Sequence, residues 1–211
     1  MKTFLFYALC ASTLLTLVVS AQTDETPLAA IGQPAPNFTL VGGDGKKHSL
    51  AHYKEKGKFI VLEWTNPGCP FVHKFYDSGT MQHLQKTETA KGVIWIRINS
   101  SAPGKEGNQT VAAIAPYEKA NHVASTVTLL DPDGKVGHLY GARNTPQMFV
   151  IDPKGILIYA GGIDDQPSAD PADIATAKNY VTTALDEAMA GKPVTTPTAP
   201  PYGCSVKYAG N

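Results

Sequence analysis

Two cysteines of this 211-residue chain stand where sulfur can do chemistry. Cys69 lies in NPGCPFVHKFY, Asn66 to Tyr76, directly before a proline and a helix-like run; Cys204 lies in PYGCSVKY near the C-terminus. Proline is favoured at the first position of a helix because its missing N–H would have no partner there anyway, so Pro70 marks Cys69 as a helix cap. A sulfur at that point faces unpaired backbone N–H groups and the positive end of the helix dipole. Both favour the thiolate, the nucleophilic form, over the thiol, whose ordinary pKa is about 8.5. The competing reading is that Cys69 is a small buried hydrophobe. A third feature is Pro146 in NTPQMFVID, Asn144 to Asp152. Proline cannot donate to a sheet, so it belongs at the first residue of that strand or at a bulge. ARNTP ahead of it is compatible with a cis Thr145–Pro146 bond, although trans is the commoner isomer.

These residues need elements to position them, and the first 21 residues are not among those elements. Lys2 precedes an apolar run from Phe4 to Val19, and Val19 and Ala21 are the small residues expected before a cleavage point, so residues 1–21 read as a secretory signal peptide. The run is shorter than the roughly 20 residues a bilayer-spanning helix needs. Cys10 lies inside it without the upstream pattern of a lipid-modified cysteine, and is expected to leave with it. The mature chain is therefore expected to be exported, periplasmic or extracellular, without a membrane span. Cys69 and Cys204 are then an even pair in an oxidising compartment, open to a disulfide, a redox couple or both. Without Lys2, 17 Lys and Arg face 18 Asp and Glu, a balance that argues against nucleic acid as a partner.

From Asn37 to Trp64 the pattern is strand-like: NFTL, a GGDG turn, KKHSL, and the apolar run FIVLEW. VIWIRI (93–98), TVTLL (126–130), MFVI (148–151) and ILIY (156–159) follow, short and apolar like strands covered on both faces. Helical stretches at 70–91, broken at DSGT (77–80), and at 111–121 separate them. That alternation predicts an α/β fold with a mixed, mostly parallel central sheet flanked by helices, an N-terminal β-hairpin and an extended C-terminal arm. DPKG (152–155) is too short for a crossover and predicts an antiparallel hairpin. Residues 173–189 carry a helical apolar stripe that Gly191 stops. The expected organisation is a signal peptide over 1–21, one domain over 22–190, and a proline-rich arm over 191–211 carrying Cys204.

The stretches NFTLVGGDGKKHSL, FIVLEWTNPGCPFV, TLLDPDGKVGHLYGARNTPQMFVIDPKGILIYAGGIDD and GCSVKY, in this order, resemble thioredoxin-like proteins of the peroxiredoxin and alkyl hydroperoxide reductase (redoxin) superfamily. The nearest pattern is a peroxiredoxin-like branch with an active site of approximately Cys-Asn-His-Cys-Pro-Tyr-Val and a tail ending Gly-Cys-Ser-Ile-Lys-Trp. The resemblance runs from about Ile31 to Tyr208. It implies a thioredoxin fold with Cys69 at the active-site helix, Pro146 as a cis-proline facing it, and Thr145 offering its backbone to a bound substrate. Two departures stand out. Asn66 takes the place of the branch's first cysteine, which rules out a vicinal dithiol cycle. Asn66 and Leu62 also occupy the positions where peroxiredoxins carry their threonine or serine and their proline, which weakens a peroxidase reading.

Cys204 is then the internal thiol left to resolve a mixed disulfide or sulfenic acid on Cys69. Residues 191–202, at about 3.1 Å each when extended, reach up to roughly 37 Å, against a radius of gyration near ~16 Å for a domain of this size. The arm is long enough. A permanent Cys69–Cys204 bridge would stabilise the fold by about 5 kcal/mol in the chain-entropy model, so a structural staple stands beside redox cycling and unpaired thiols.

Among other residues, His73 follows Cys69 by four and shares its helix face. It is a candidate to tune the thiolate or to join it in a copper-type site, although one cysteine is thin ligation, and an ordinary exposed histidine is the default expectation. Glu63 is either a desolvated proton acceptor for a thiol or, the default, a carboxylate at a solvated strand end. Arg143 is a candidate partner for the thiolate or for Glu63. His48, His52, His83, His122 and His138 lack ligand spacing and read as surface or structural, so no metal is expected. NQT (108–110) matches a glycosylation acceptor. The acidic pair of GGIDD (161–165) caps the next segment or binds nothing. No dinucleotide fingerprint or phosphate loop occurs, so no organic cofactor is implied. The sequence thus points to an antioxidant-type thiol oxidoreductase acting on a protein or small-molecule disulfide, or a hydroperoxide, with a thiol protein as reductant. The competing class is a non-catalytic binding module stapled by Cys69–Cys204, or a copper carrier.

Overall fold

Period-two alternation along one apolar strand sets up the whole architecture. In Ile60–Trp64, Ile60, Leu62 and Trp64 enter one hydrophobic cluster, with Phe38, Tyr140 and Phe149, while Val61 faces the other, with Val72, Trp95, Val150, Tyr159 and Leu185. Every residue of this strand is buried, as expected of a strand with both faces covered. In a computed structural model that describes Met1 and residues 28–210, the elements run β1 (Thr39–Gly42), β2 (Lys47–Ser49), α1 (Leu50–Lys54), β3 (Ile60–Trp64), α2 (Pro70–Asp77), α3 (Thr80–Ala90), β4 (Ile94–Asn99), α4 (Val111–Ala120), β5 (Val127–Leu130), α5 (Lys135–Tyr140), β6 (Asn144–Thr145), β7 (Gln147–Ile151), β8 (Leu157–Gly161), α6 (Tyr180–Met189) and β9 (Cys204–Ser205). The expected signal peptide and Cys10 lie outside the described residues.

Seven strands form one sheet in the order β2-β1-β5-β4-β3-β7-β8. It is mixed, but less parallel than the alternation of elements suggests. Only β3–β4 and β4–β5 pair in parallel, across the crossovers through α2–α3 and α4. The N-terminal hairpin, its contact with β5, and β7 on both its sides are antiparallel. The physical reason is loop length: the turns at 43–46 and 152–156 have no room for a crossover. Asp152 shapes the second turn by accepting from the amides of Lys154 and Ile156.

The α2–α3 break falls at Ser78–Gly79, where Gly79 has φ +76°. The expected helix over 173–189 is shorter. A 3₁₀ turn, Pro171–Ala175, is capped by Asp170, and the α-helix starts only at Tyr180, behind an Asn179 cap that accepts from Thr182 N. Tyr180 N is already committed to Ile163 O at 2.9 Å and Asn179 pairs with Asp164, so the end of the intervening stretch is tied to the segment after β8 instead of continuing a helix.

The tail is docked. Ala160 N donates to Pro197 O at 3.1 Å along β8, and β9 pairs antiparallel with β6, Thr145 opposite Cys204 and Asn144 opposite Ser205. Two glycines make the first contact feasible: a Cβ at Gly161 would lie 2.3 Å from Ala199 O and one at Gly162 would lie 3.0 Å from Pro200 O. Val206 and Tyr208 are buried in the first hydrophobic cluster. Among the described residues, no helix is long and apolar enough to cross a membrane.

Candidate functional site

β3 delivers the chain to the N-terminus of α2, and the short turn Thr65–Gly68 reverses it. Asn66 organises that turn. Its Oδ1 accepts from Gly68 N at 2.7 Å, its carbonyl accepts from Cys69 N at 3.1 Å, and its Nδ2 donates to Glu106 O at 3.3 Å. The amide at the position of the missing first cysteine thus clamps the turn to the 100–110 loop. Gly107 is there because a side chain would fall 1.8 Å from Asn66 Oδ1.

Cys69 caps α2 with its backbone, its carbonyl accepting from Val72 N and His73 N, both at 3.0 Å. Its side chain makes no hydrogen bond to the helix amides. The expectation that the sulfur faces those amides is corrected in this form: a thiol is a donor, so it turns to an acceptor and donates to Thr145 O across 3.2 Å. Thr145 and Pro146 are both buried, and the peptide bond between them is cis. Cys69 is fully buried and Cys204 is half-buried.

Cys204 joins them through β9, whose register places it opposite Thr145. Both thiols are free, and Cys204 packs against the hydrophobic cluster that contains Cys69. Burial pushes the Cys204 thiol up to about 11, and the hydrogen bond and negative charge of Cys69 add to the rise, with Lys207 pulling the other way. One backbone position, Thr145, therefore gathers both sulfurs. Two thiols in that relation can form a disulfide, or pass one between an outside sulfur and each other.

Gly203 is the residue that sequence reasoning missed. It has φ +106°, a side chain there would meet Thr145 O at 2.2 Å, and Asn144 Nδ2 donates to its carbonyl at 2.8 Å. Its signal was the glycine directly before the cysteine. Tyr202 before it packs edge-on against Phe71 at 6.0 Å and donates to Asp164, the first acid of GGIDD; Asp165 caps Lys178 N at 2.9 Å. The glycines and acids of that motif are the seat of the tail.

Other candidates fall elsewhere. His73 is exposed and faces Asp77 at 3.3 Å. Arg143 is exposed and meets neither thiol nor Glu63. Glu63 is not at a solvated strand end. It is fully buried and accepts from Tyr76 Oη at 2.8 Å, Gln85 Nε2 at 3.0 Å and Trp95 Nε1 at 2.7 Å, with Arg97 Nε at 3.7 Å. With its lone pairs so occupied, it serves as an anchor for α2 and α3. Arg97, hidden in the run VIWIRI, lies between the rings of Tyr76 and Tyr117, at 5.1 and 5.5 Å. A pocket of about 400 Å³ beside α2 is lined by Pro70, His73, Lys74, Asp77, Ala169 and Pro171, and by neither cysteine. Among the described residues, no three His, Cys, Asp or Glu side chains converge as a metal site would require.

A mixed sheet with a cysteine capping the helix after a fully buried inner strand, opposed by a cis-proline, defines a thioredoxin-like protein of the redoxin class. Residues 31–160 match the AhpC/TSA family. The chain belongs to that family. It is 27% identical over 176 residues to the thiol:disulfide interchange protein DsbE of Escherichia coli (strain K12), covering 77% of this chain and 83% of that one. It is likewise 27% identical over 162 residues to the thiol-disulfide oxidoreductase ResA of Bacillus thuringiensis subsp. konkukian, covering 74% and 83%. An uncharacterized conserved protein from Geobacillus kaustophilus shares the fold with a TM-score of 0.75 at 24% identity, covering 87% of this chain and 95% of that one.

Proposed function

We propose that the protein is an exported thiol–disulfide oxidoreductase in which Cys69 is the attacking thiol and Cys204 resolves the intermediate. The observation that carries this is the convergence of both sulfurs on Thr145, one through its carbonyl and one through its strand register. The names of the relatives supply the reaction class; the single thiol on α2 supplies the reason for a tail.

The cycle balances without a cofactor. The Cys69 thiolate attacks a substrate disulfide, forms a mixed disulfide and releases one substrate thiol. The Cys204 thiolate then attacks the Cys69 sulfur, releases the second substrate thiol and leaves Cys69–Cys204. A thiol protein reduces that bond in two further exchanges. Order is built into the Cys204 environment: of the four influences that raise it, burial and the charge of Glu106 stay, while the two from Cys69 vanish once Cys69 is bound to substrate, so the second thiol ionises more readily after the first has reacted.

A disulfide suits this site better than a hydroperoxide. The Cys69 sulfur is held by a carbonyl acceptor, whereas an O–O bond needs donors over its leaving oxygen. Thr145 and Pro146 are read as the substrate-binding residues, residues 22–190 as the redoxin domain, and residues 1–21 as the export signal. The test is reduction of an insulin-type disulfide with a dithiol as electron source. Cys69→Ser is expected to be inert, and Cys204→Ser to stop after one mixed disulfide. Wild-type turnover by Cys69→Ser would overturn the reading.

A further inference from the structure

The segment that brings the second thiol also covers the first. Cys69 is shut in at 0% exposure, its sulfur held on Thr145 O, and Cys204 lies opposite Thr145 and packs against the cluster that contains Cys69. β9 occupies the edge of Thr145 on which an incoming extended chain would pair. Gly203 brings the tail as close as backbone can come, since any Cβ would meet Thr145 O at 2.2 Å and Phe71 Cβ at 3.2 Å.

The pairing itself is two residues long and Ser205 is exposed. Anchors on either side hold it. Upstream, Tyr202 packs on Phe71 and donates to Asp164. Downstream, Val206 N donates to Arg143 O at 2.9 Å, and Ala102 N donates to Lys207 O at 2.8 Å. Tyr208 stacks on His138 at 4.0 Å and donates to Ala142 O at 2.7 Å. It fills the space that Gly134 and Gly137 leave open, where added Cβ atoms would lie 2.6 and 2.2 Å from its ring and hydroxyl. A short ladder between side-chain anchors opens locally at lower cost than the core does.

We propose that residues 202–208 determine which disulfides Cys69 can attack, by holding the place of a polypeptide strand on β6. This deepens the oxidoreductase reading and rests on it. A small disulfide needs only Gly203 and Cys204 to lift. A polypeptide disulfide needs the whole β6 edge and therefore release of the anchors, so the closed tail favours small disulfides, and a protein partner has to displace it.

The test uses the full chain carrying Cys204→Ser and two probes that react by the same step: 2,2′-dithiodipyridine, and an extended cysteine peptide capped as its 2-thiopyridyl disulfide. In each, the Cys69 thiolate forms a new S–S bond with the probe, the old S–S bond breaks, and pyridine-2-thione leaves carrying the proton that Cys69 gave up. The released thione is read by absorbance, after subtracting the rate of the chain carrying both Cys69→Ser and Cys204→Ser. Gly203→Ala pushes the tail away from Thr145 O and Phe71, and Tyr208→Ala removes the downstream anchor without touching Thr145; the melting curve of each is recorded to show a folded chain. Either change is expected to raise the peptide rate by a factor of about ten, what loss of one well-made contact amounts to, and the dithiodipyridine rate by a smaller factor. Equal acceleration of both probes would mean that the tail shields without selecting, and would overturn the proposal. So would no acceleration in either variant. If Cys69 reacts with neither probe in any variant, the oxidoreductase reading itself fails and takes this proposal with it.

Discussion

Two buried polar centres sit at the two ends of α2, and they are built on opposite principles. At its last turn, Tyr76 belongs to a centre in which Glu63 takes three hydrogen bonds from the 70s, 80s and 90s of the chain, with Arg97 beside it. At its N-terminus, Cys69 has one weak donor bond to a carbonyl and a neighbouring thiol, and the buried Thr145 Oγ1 has no hydrogen-bond partner. The first centre is densely bonded around the Glu63 carboxylate, with Arg97 Nε its one unpartnered atom beside it at 3.7 Å. The second is sparsely bonded and closed by two residues of strand. The difference is what a thiol site requires: groups that must exchange partners cannot be committed to many.

That contrast predicts a separation between activity and stability, and the largest effect lies on the activity side. Cys69→Ser is expected to abolish disulfide exchange, and Cys204→Ser to end turnover after one mixed disulfide, detectable as a mass increase of one substrate moiety. Both are expected to move the melting temperature little, since each swaps a small, weakly bonded group for a near isostere. A large loss of stability in either variant would erase the contrast.

Next comes the other centre. Arg97→Met leaves a buried Glu63 without its cation and is expected to cost about 3–5 kcal/mol. In a domain of this size that is a drop of roughly 6–20 °C in Tm by calorimetry. Tyr76→Phe removes one of three donors to Glu63 and is expected to cost about 1–3 kcal/mol. In both variants, the rate with a small disulfide per folded molecule is expected to hold, because neither Glu63 nor Arg97 touches a thiol. A proportionate fall in that rate would mean that the two ends of α2 are coupled.

The two centres were also unequally legible. Cys69, Pro70 and Pro146 announce themselves locally: proline after cysteine sets a helix start, and proline before an apolar strand sets its entry. The hairpin at Asp152–Gly155 and the break at Ser78–Gly79 were readable for the same reason. Glu63 was not. A carboxylate in an apolar strand reads as a strand end unless its partners are known, and these lie 13, 22 and 32 residues away. The sheet's antiparallel share was partly hidden because strand segments do not state their neighbours. The late start of α6 was missed because Asn179 competes as a cap with an apolar stripe that begins earlier. The tail's seat was spread over Gly161, Gly162, Asp164 and Gly203, glycines and an acid whose purpose appears only when the arm is laid against them.

The smallest effect tests the thiol site from inside. The Cys204 thiol is pushed up to about 11 by burial first, then by the hydrogen bond and charge of Cys69. A raised value means that the proton is held longer, so in the wild type alkylation of Cys204 by iodoacetamide should reach half its limiting rate near pH 11 and be slow at pH 8. Cys69→Ser removes the charge and weakens the hydrogen bond while leaving burial in place, so the midpoint should move down part of the way toward 9, the value without these influences. The direction matters more than the size. A downward move ties the second thiol's readiness to the first thiol's state, which is how an ordered exchange avoids both sulfurs acting at once. A midpoint that stays put would mean that burial alone sets it, and that the sulfurs meet at Thr145 without sensing each other.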